Sequence, residues 1–166
     1  MILDASPYGL GGILIASDRI VSYFASPLTR LDEEIHGHSI GSDKGQQVWE
    51  ALCILVAMRT WTSEWLGCQC TLTIKSDNIS ALVMASKLKV TASILIAQEL
   101  ALILSEASYM PRHVVHVPGA MNAWADALSR LEDPTHRCKV PDALRDTPRA
   151  QPSEPSSRYY STLAHQ

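Results

Sequence analysis

Apolar and polar positions change their spacing several times along the chain, and each change predicts a new element. Residues 1–6 are apolar at alternate and adjacent positions, which is typical of a strand covered on both faces. A glycine-rich turn over residues 7–12 precedes two more strand-like runs at 13–16 and 20–25, which Ser17-Asp18-Arg19 joins as a tight hairpin. The opening of the sequence therefore predicts a three-stranded antiparallel meander.

The following region predicts helices and two further strands. Residues 46–66 contain no glycine or proline and predict a long helix, which Gly67 suits as a C-terminal cap. The other predicted elements are a polar loop at 26–45 with a short helical turn, strands at 71–75 and 112–117, and helices at 79–88 and 91–105. With a last helix near residue 126, the order βββαβααβα predicts a mixed α/β fold.

That last helix carries an isolated acid. Pro118-Gly119 marks a turn, Asn122 can cap the helix that follows, and Trp124 and Leu128 recur on its apolar stripe. Asp126 therefore lies among apolar neighbours in the first turns of the helix. An acid in this setting is either half exposed beside the stripe or a metal ligand, and the helix alone leaves both interpretations open.

Asp4, Glu50 and Asp77 also lie where an ordinary fold does not need an acid. Glu50 shares its helix face with apolar residues such as Cys53, so it either reaches solvent from the edge of the stripe or has its charge neutralised by a cation. Asp77 follows a strand where a helix starts, a place that suits both a ligand site and a simple helix cap.

Composition bounds the domain organisation. The 166 residues are 46% hydrophobic and 19% charged, which suits one folded domain with a sizeable core. After residue 131 the chain is polar and punctuated by proline, so we predict a domain over 1–131 and a flexible Pro-rich tail over 132–166. Because a central strand begins at residue 1, we also expect the sequence to come from a longer protein or a gene fragment.

Charge and targeting signals narrow the class of protein. The formal net charge is -3, whereas a protein that holds nucleic acid by charge alone is basic. Any binding of nucleic acid must then depend on metal ions, polar groups or a neighbouring domain. The sequence shows neither the ~18-residue apolar run of a membrane span nor a signal peptide, so we expect an intracellular protein with no membrane partner.

The cysteines and loop histidines offer weaker signals. None of the four cysteines is in a CxxC pair, which favours buried or free thiols. His36 and His38 form a His-x-His pair that suits a metal only with further ligands nearby, and the favoured interpretation is a solvated loop.

Four acids and a histidine follow the order of a known family. The matching positions are Asp4-Ala5-Ser6, Gly9, Gly11-Gly12, Glu50, Asp77-Asn78, and within the run from His116 to Arg130 also Pro118, Gly119, Asn122, Ala125, Asp126, Leu128 and Ser129. Over about residues 1–131 the sequence resembles the ribonuclease H domain of retroelement reverse transcriptases. The resemblance implies a ribonuclease H-like fold, with a mixed five-stranded sheet of three antiparallel strands and then parallel strands, flanked by helices.

The resemblance also implies an activity, hydrolysis of the RNA strand of RNA–DNA hybrids with two Mg²⁺ ions, for which Mn²⁺ can substitute. By resemblance Asp4 contacts both ions, Glu50 and Asp77 complete the ion on the leaving-group side, and Asp126 completes the ion that activates water. His116 resembles a mobile histidine that assists proton transfer or product release, and a loop histidine without a role is the alternative.

Substrate contacts are implied in the same way. The positions concerned are Ser6, Gln46, Gln47, Asn78 and Asn122. The two glutamines precede Glu50 where the family has amides that reach the minor groove, in which 2′-hydroxyls distinguish RNA from DNA. The chain departs from the family at Ile79, where a glutamine is common, and it lacks a basic cluster in the helical region that follows. We therefore expect weak hybrid binding in isolation and an upstream reverse transcriptase polymerase domain as a partner.

Two alternative functions follow from the same pattern. One is a catalytically silent ribonuclease H-like module that braces a polymerase or binds nucleic acid, and the other is a nuclease or transposase of the same broad fold. The full acid set argues against the first, and the run from His116 to Arg130 argues against the second.

Overall fold

The structure is a computed structural model that describes residues 1–65, 71–77, 93–106, 113–116 and 122–152, with the backbone alone at 106 and 113–116. The strands in these ranges are β1 (Ile2–Ala5), β2 (Gly9–Ala16), β3 (Arg19–Pro27), β4 (Thr73–Ser76) and β5 (His113–His116). The α-helices are α1 (Arg30–His36), α2 (Gln46–Thr60), α3 (Thr62–Trp65), α4 (Ile94–Glu106) and α5 (Ala123–Ser129). The helix predicted at 79–88 lies outside the described residues.

The strands form one mixed sheet in the order β3-β2-β1-β4-β5. β1 pairs with β2, and β2 with β3, in antiparallel fashion, whereas β1 with β4 and β4 with β5 are parallel pairs. Helices α2 and α5 pack against β1 and β2. The prediction of a mixed α/β fold, in which antiparallel strands precede parallel ones and helices flank the sheet, is confirmed.

The hairpin between β2 and β3 has the predicted residues at its turn. Ser17 and Asp18 have φ values of 48° and 60°, the left-handed conformation that a two-residue turn of this kind requires. Ala16 pairs with Arg19 across the turn. The predicted glycine-rich turn at 7–12 is shorter than expected, because β2 already begins at Gly9.

Helix α2 forms the centre of the core. Every residue from Val48 to Met58 is buried, Glu50 included, so the helix is covered on all sides instead of having a single apolar face. The helix ends at Thr60, earlier than predicted, and Trp61 packs against Phe24 with ring centroids 5.2 Å apart. In the described part of the chain, no helix is long and apolar enough to cross a membrane.

The polar region at 26–45 is more ordered than predicted. Thr29 and Asp32 form a reciprocal capping box at the start of α1, and Gly37, with φ of 68°, closes its other end. The rings of His36 and His38 both meet Trp49 edge-on, with centroids 5.9 and 6.3 Å away. The solvated-loop interpretation of these histidines is therefore wrong, since both rings pack against the core.

The prediction of a flexible tail is wrong for residues 132–152. Leu144, in a short 3-10 turn at Asp142–Leu144, is fully buried against a cluster that includes Ile13, Tyr23 and Leu128. One well-placed leucine, with Val140 beside it, anchors a segment whose composition suggested a linker. The domain thus continues beyond the predicted boundary at residue 131, and residues 153–166 lie outside the described part.

Backbone hydrogen bonds fasten the same segment to β3. The Tyr23 N–H donates to the carbonyl of Pro148 at 3.2 Å, and the Ala150 N–H donates to the carbonyl of Tyr23 at 2.8 Å. The Arg149 guanidinium also donates to the carbonyl of Ala25 at 2.9 Å. These bonds cover the outer edge of β3 around Tyr23.

Candidate metal centre

Three of the predicted acids meet at the carboxyl end of the parallel strands. Asp4 lies on β1, Glu50 on α2, and Asp77 directly after β4, and one carboxylate oxygen from each lies within 4.8 Å of the others. Asp4 and Glu50 are each only 4% exposed, whereas Asp77 is more open to solvent. This acidic triad has the ligand type and spacing to hold a metal ion.

The sheet register explains why Asp4 and Asp77 meet. β1 and β4 run in parallel with Ile2 opposite Lys75, and continuing the register by two residues sets Asp4 level with Asp77. Helix α2 lies over β1, where the Cys53 thiol contacts the carbonyl oxygens of Asp4 at 3.2 Å and Gly11 at 3.4 Å. Glu50, one turn before Cys53, is thereby held above the same strand.

Two glycines of β2 let helix α5 approach the sheet. A Cβ atom added at Gly11 would lie 2.4 Å from the carbonyl oxygen of Ala125, and one at Gly9 would lie 2.7 Å from that of Ser129. Both distances are closer than real contacts allow, so these positions must lack a side chain. The close approach brings the two ends of α5 to Asp4.

Both carboxylate oxygens of Asp4 accept hydrogen bonds from neutral groups of the α5 region. The Ser129 hydroxyl lies 2.8 Å from Oδ2, and the Asn122 amide nitrogen donates to Oδ1 at 3.1 Å. The same nitrogen donates to the Leu3 carbonyl at 3.1 Å. Asn122 makes no side-chain cap for α5, contrary to the prediction, because its amide is directed to β1 instead.

Burial raises the pKa of the two buried acids of the triad, Asp4 and Glu50. Desolvation, strengthened by the nearby Asp77 and Asp126 charges, raises the pKa of Asp4 to about 7 against the Ser129 hydrogen bond. Desolvation and the charges of Asp4 and Asp77 raise the pKa of Glu50 to about 9, and hydrogen bonds from Gln46 and the Ala5 backbone oppose that rise. Asp4 and Glu50 are therefore more stable when they are protonated or bound to a cation than as ionised carboxylates without a counter-ion.

Asp126 stands apart from the triad. Its Oδ1 accepts a hydrogen bond from Nε of Arg130 at 2.7 Å, and both side chains are partly exposed. Asp126 is near enough to raise the pKa of Asp4, yet its carboxylate has a cation of its own. Leu128 is buried as predicted, but Trp124 is 46% exposed, so the apolar stripe of α5 is narrower than predicted.

Two residues predicted to contact substrate face the protein interior. The Ser6 hydroxyl is fully buried, donates to the Ser129 carbonyl at 2.7 Å and accepts from the Gly9 N–H at 3.1 Å. Asn122 is 1% exposed and bonded to β1. Both predictions are corrected, because these polar groups hold β1, β2 and α5 together.

The remaining predicted positions are Gln46, Gln47, His116 and Asn78, and their settings differ. Gln47 is exposed, whereas Gln46 donates to the Ala5 carbonyl and to Glu50. His116 ends β5 opposite Ser76, which sets its backbone beside the strand that leads to Asp77. Asn78 lies outside the described residues, as does the Pro118-Gly119 turn.

Ser129 and Arg130 have contacts that the sequence reasoning did not assign, although both belong to the run that carried the resemblance. The spacing of Asp126 and Arg130, four residues apart on one helix, is a known signal for an ion pair. No comparable signal links Ser129 to Asp4, since 125 residues separate them and only the packing of α5 joins them.

Comparison of the chain with protein-family models, with curated proteins and with solved structures found no match.

Proposed function

We propose that this protein is a ribonuclease H domain of the retroelement reverse transcriptase type, which cleaves the RNA strand of RNA–DNA hybrids. The observation that carries the proposal is the meeting of Asp4, Glu50 and Asp77 within 4.8 Å. These acids come from three separate elements, and the motif resemblance named all three. The mixed sheet and the flanking helices agree with the fold that the resemblance implies.

The donor set fits a hard divalent cation. All three ligand groups are carboxylates, and none of the ion pairs among the described residues involves them. Asp4 and Glu50 are nearly buried and have raised pKa values, because a negative charge is unfavourable there. A bound cation neutralises that charge and so stabilises the ionised carboxylates. Mg²⁺ prefers such oxygen ligands and shares them with substrate phosphate. Asp4, Glu50 and Asp77 would hold one ion, and Asp4 with Asp126 a second.

Bound divalent ions supply charge neutralisation at the phosphate and a water of lowered pKa. The protein's own part is to hold Asp4 at the centre, with both oxygens hydrogen-bonded by Ser129 and Asn122. Asp77, the most open of the three acids, gives the site a side from which a phosphodiester can enter. We assign His116 the role that the resemblance implies, assistance in proton transfer or product release, and its backbone ends β5 opposite Ser76, one residue before Asp77.

The substrate assignment rests on polar recognition. With a net charge of -3, the chain has no general attraction for phosphate backbones, so a metal-bound phosphate and 2′-hydroxyl contacts must provide the affinity. Exposed Gln47, three residues before Glu50, is the side chain best placed to reach a minor groove. A polymerase domain upstream would supply the remaining contacts to the hybrid.

One observation favours the alternative of a catalytically silent module. The carboxylate of Asp126 is paired with Arg130, and the second ion would have to compete with that guanidinium. A silent module would bind metal at the triad without cleaving hybrids.

The decisive experiment incubates purified protein with labelled RNA–DNA hybrid, duplex DNA and duplex RNA, each with Mg²⁺ or with a chelator. We expect cleavage of the RNA strand of the hybrid alone, and only with Mg²⁺. Metal binding by calorimetry without any cleavage would support the silent module instead. Cleavage of duplex DNA would contradict both.

A further inference from the structure

The amide of Gln46 is fully occupied as a donor. Gln46 is the first residue of α2, one helical turn before Glu50. Its Nε2 donates to the Ala5 carbonyl at 2.6 Å and to Oε1 of Glu50 at 2.9 Å. A carboxamide nitrogen carries two hydrogens, so these bonds use both of them. Gln46 therefore has no N–H left to offer a 2′-hydroxyl or a base.

These bonds join the two buried acids of the triad. Ala5 follows Asp4 directly on β1, so the bond from Gln46 to the Ala5 carbonyl lies one residue from that acid. Gln46 thus bridges the Ala5 peptide on β1 and the Glu50 carboxylate on α2 through two hydrogen bonds. This bridge holds the Glu50 carboxylate in place relative to β1, and hence to Asp4, and a shared metal ion requires that the two carboxylates keep a fixed separation.

Gln47 has the same chemistry in a different setting. Its side chain is exposed, and no hydrogen bond joins it to the part of the chain that the structure describes. One residue further along an α-helix turns the side chain by about 100°, away from the bridge that Gln46 forms. The two neighbouring glutamines therefore serve as matched controls for each other.

We propose that Gln46 is a positioning residue that sets Glu50 against Asp4, and that metal affinity, not recognition of nucleic acid, depends on its amide. This inference rests on the proposed metal site and goes beyond the proposed function by separating two glutamines that the resemblance treats alike. Partners that orient metal ligands in this way commonly change metal affinity or activity by about 10–100-fold when removed.

The test compares Gln46→Met with Gln47→Met, since methionine keeps the length of the side chain and removes the amide. Calorimetric titration of the protein with Mn²⁺, without nucleic acid, should show affinity reduced about tenfold or more in Gln46→Met and unchanged in Gln47→Met. With hybrid substrate, Gln46→Met should lower kcat at unchanged KM, and Gln47→Met should raise KM at unchanged kcat.

Wild-type metal affinity in a folded Gln46→Met variant would overturn the inference, as would a raised KM at unchanged kcat. If circular dichroism shows that Gln46→Met does not fold, Gln46→Asn is judged by the same two measurements, because its shorter amide cannot span both acceptors. If the wild type binds Mn²⁺ but cleaves no hybrid, the proposed function fails, and the metal affinities of the variants still decide the role of Gln46.

Discussion

Asp4 and Asp126 are both acids of the candidate site, but their charges are met in opposite ways. Asp4 is buried and receives hydrogen bonds only from neutral groups, and its pKa rises to about 7. Asp126 is partly exposed and paired with Arg130. Neutral donors orient a carboxylate without cancelling its charge, so the buried charge of Asp4 is still not neutralised and favours a bound cation. The charge of Asp126 is already neutralised by Arg130.

The largest expected effect comes from removing the central acid. Asp4→Asn should abolish hybrid cleavage, because it removes the ligand shared by both proposed ions. The variant should nevertheless fold, and its metal-free form should be more stable than wild type, since a neutral amide relieves the repulsion from Glu50 and Asp77. Cleavage assays and urea unfolding measure the two effects. Cleavage at the wild-type rate would contradict the two-ion proposal.

The second prediction concerns pH. In the unfolded chain Asp4 and Glu50 ionise near their ordinary values of 3.8 and 4.5, whereas the folded protein keeps their protons up to about pH 7 and pH 9. Between these limits the folded state binds more protons, so the stability of the metal-free protein should fall as pH rises. From pH 5 to pH 8 these two groups together should reduce stability by on the order of 6 kcal/mol, with Glu50 contributing the larger part.

Urea unfolding at both pH values, with and without Mg²⁺, measures this dependence. Mg²⁺ should restore much of the stability at pH 8, because it binds only the folded site. His36 titrates in the opposite sense, since burial lowers its pKa to about 4. The difference between wild type and Asp4→Asn isolates the contribution of Asp4. Equal pH dependence in the two proteins would show that Asp4 is not perturbed.

A third, smaller effect tests the neutral donors. Ser129→Ala removes the hydroxyl that bonds Oδ2 of Asp4, and it should reduce folding stability by about 1–3 kcal/mol and metal affinity about tenfold. Ser6→Ala is the matched control, because Ser6 is equally buried but bonds the Ser129 backbone. It should lower stability and leave metal affinity unchanged. If both variants lose metal affinity equally, the contact between Ser129 and Asp4 has no special role.

The smallest effects on stability and on the Mg²⁺ requirement are expected from releasing Asp126 from its ion pair with Arg130. Arg130→Gln frees Asp126 from its ion pair, and an exposed pair of this kind is worth at most about 1 kcal/mol in stability. The Mg²⁺ concentration for half-maximal cleavage should fall by about twofold, because the guanidinium no longer competes for Asp126. A rise in that concentration would mean that Arg130 holds Asp126 in its working position.

The sequence predicted the sheet well because its signals are local. Alternating strands, the hairpin at residues 17–19 and the long helix all follow from spacing within short windows. The acids of the triad could be singled out one by one, since each is an unusual residue for its element. The motif resemblance then predicted that Asp4, Glu50 and Asp77 belong together, and the structure brings them within 4.8 Å.

The partners of those acids could not be predicted in the same way. Asn122 was expected to cap a helix and Ser6 to contact substrate, yet both bond across the core. Their partners depend on how closely α5 packs on β2, which two glycines decide. Composition also predicted a flexible tail at residues 132–152. The segment is instead packed against the domain, because Leu144 is buried there despite the surrounding prolines and polar residues.

The return of the C-terminal segment to β3 has a consequence for how this protein behaves at high concentration. β3 is the end strand of the sheet, and an end strand with free N–H and C=O groups is a template on which other chains can pair and aggregate. Residues 148–150 occupy part of that edge, with Arg149 bridged to Tyr23. A chain shortened to residue 131 would keep every acid of the candidate site and lose this protection, so its solubility, rather than its chemistry, would suffer first.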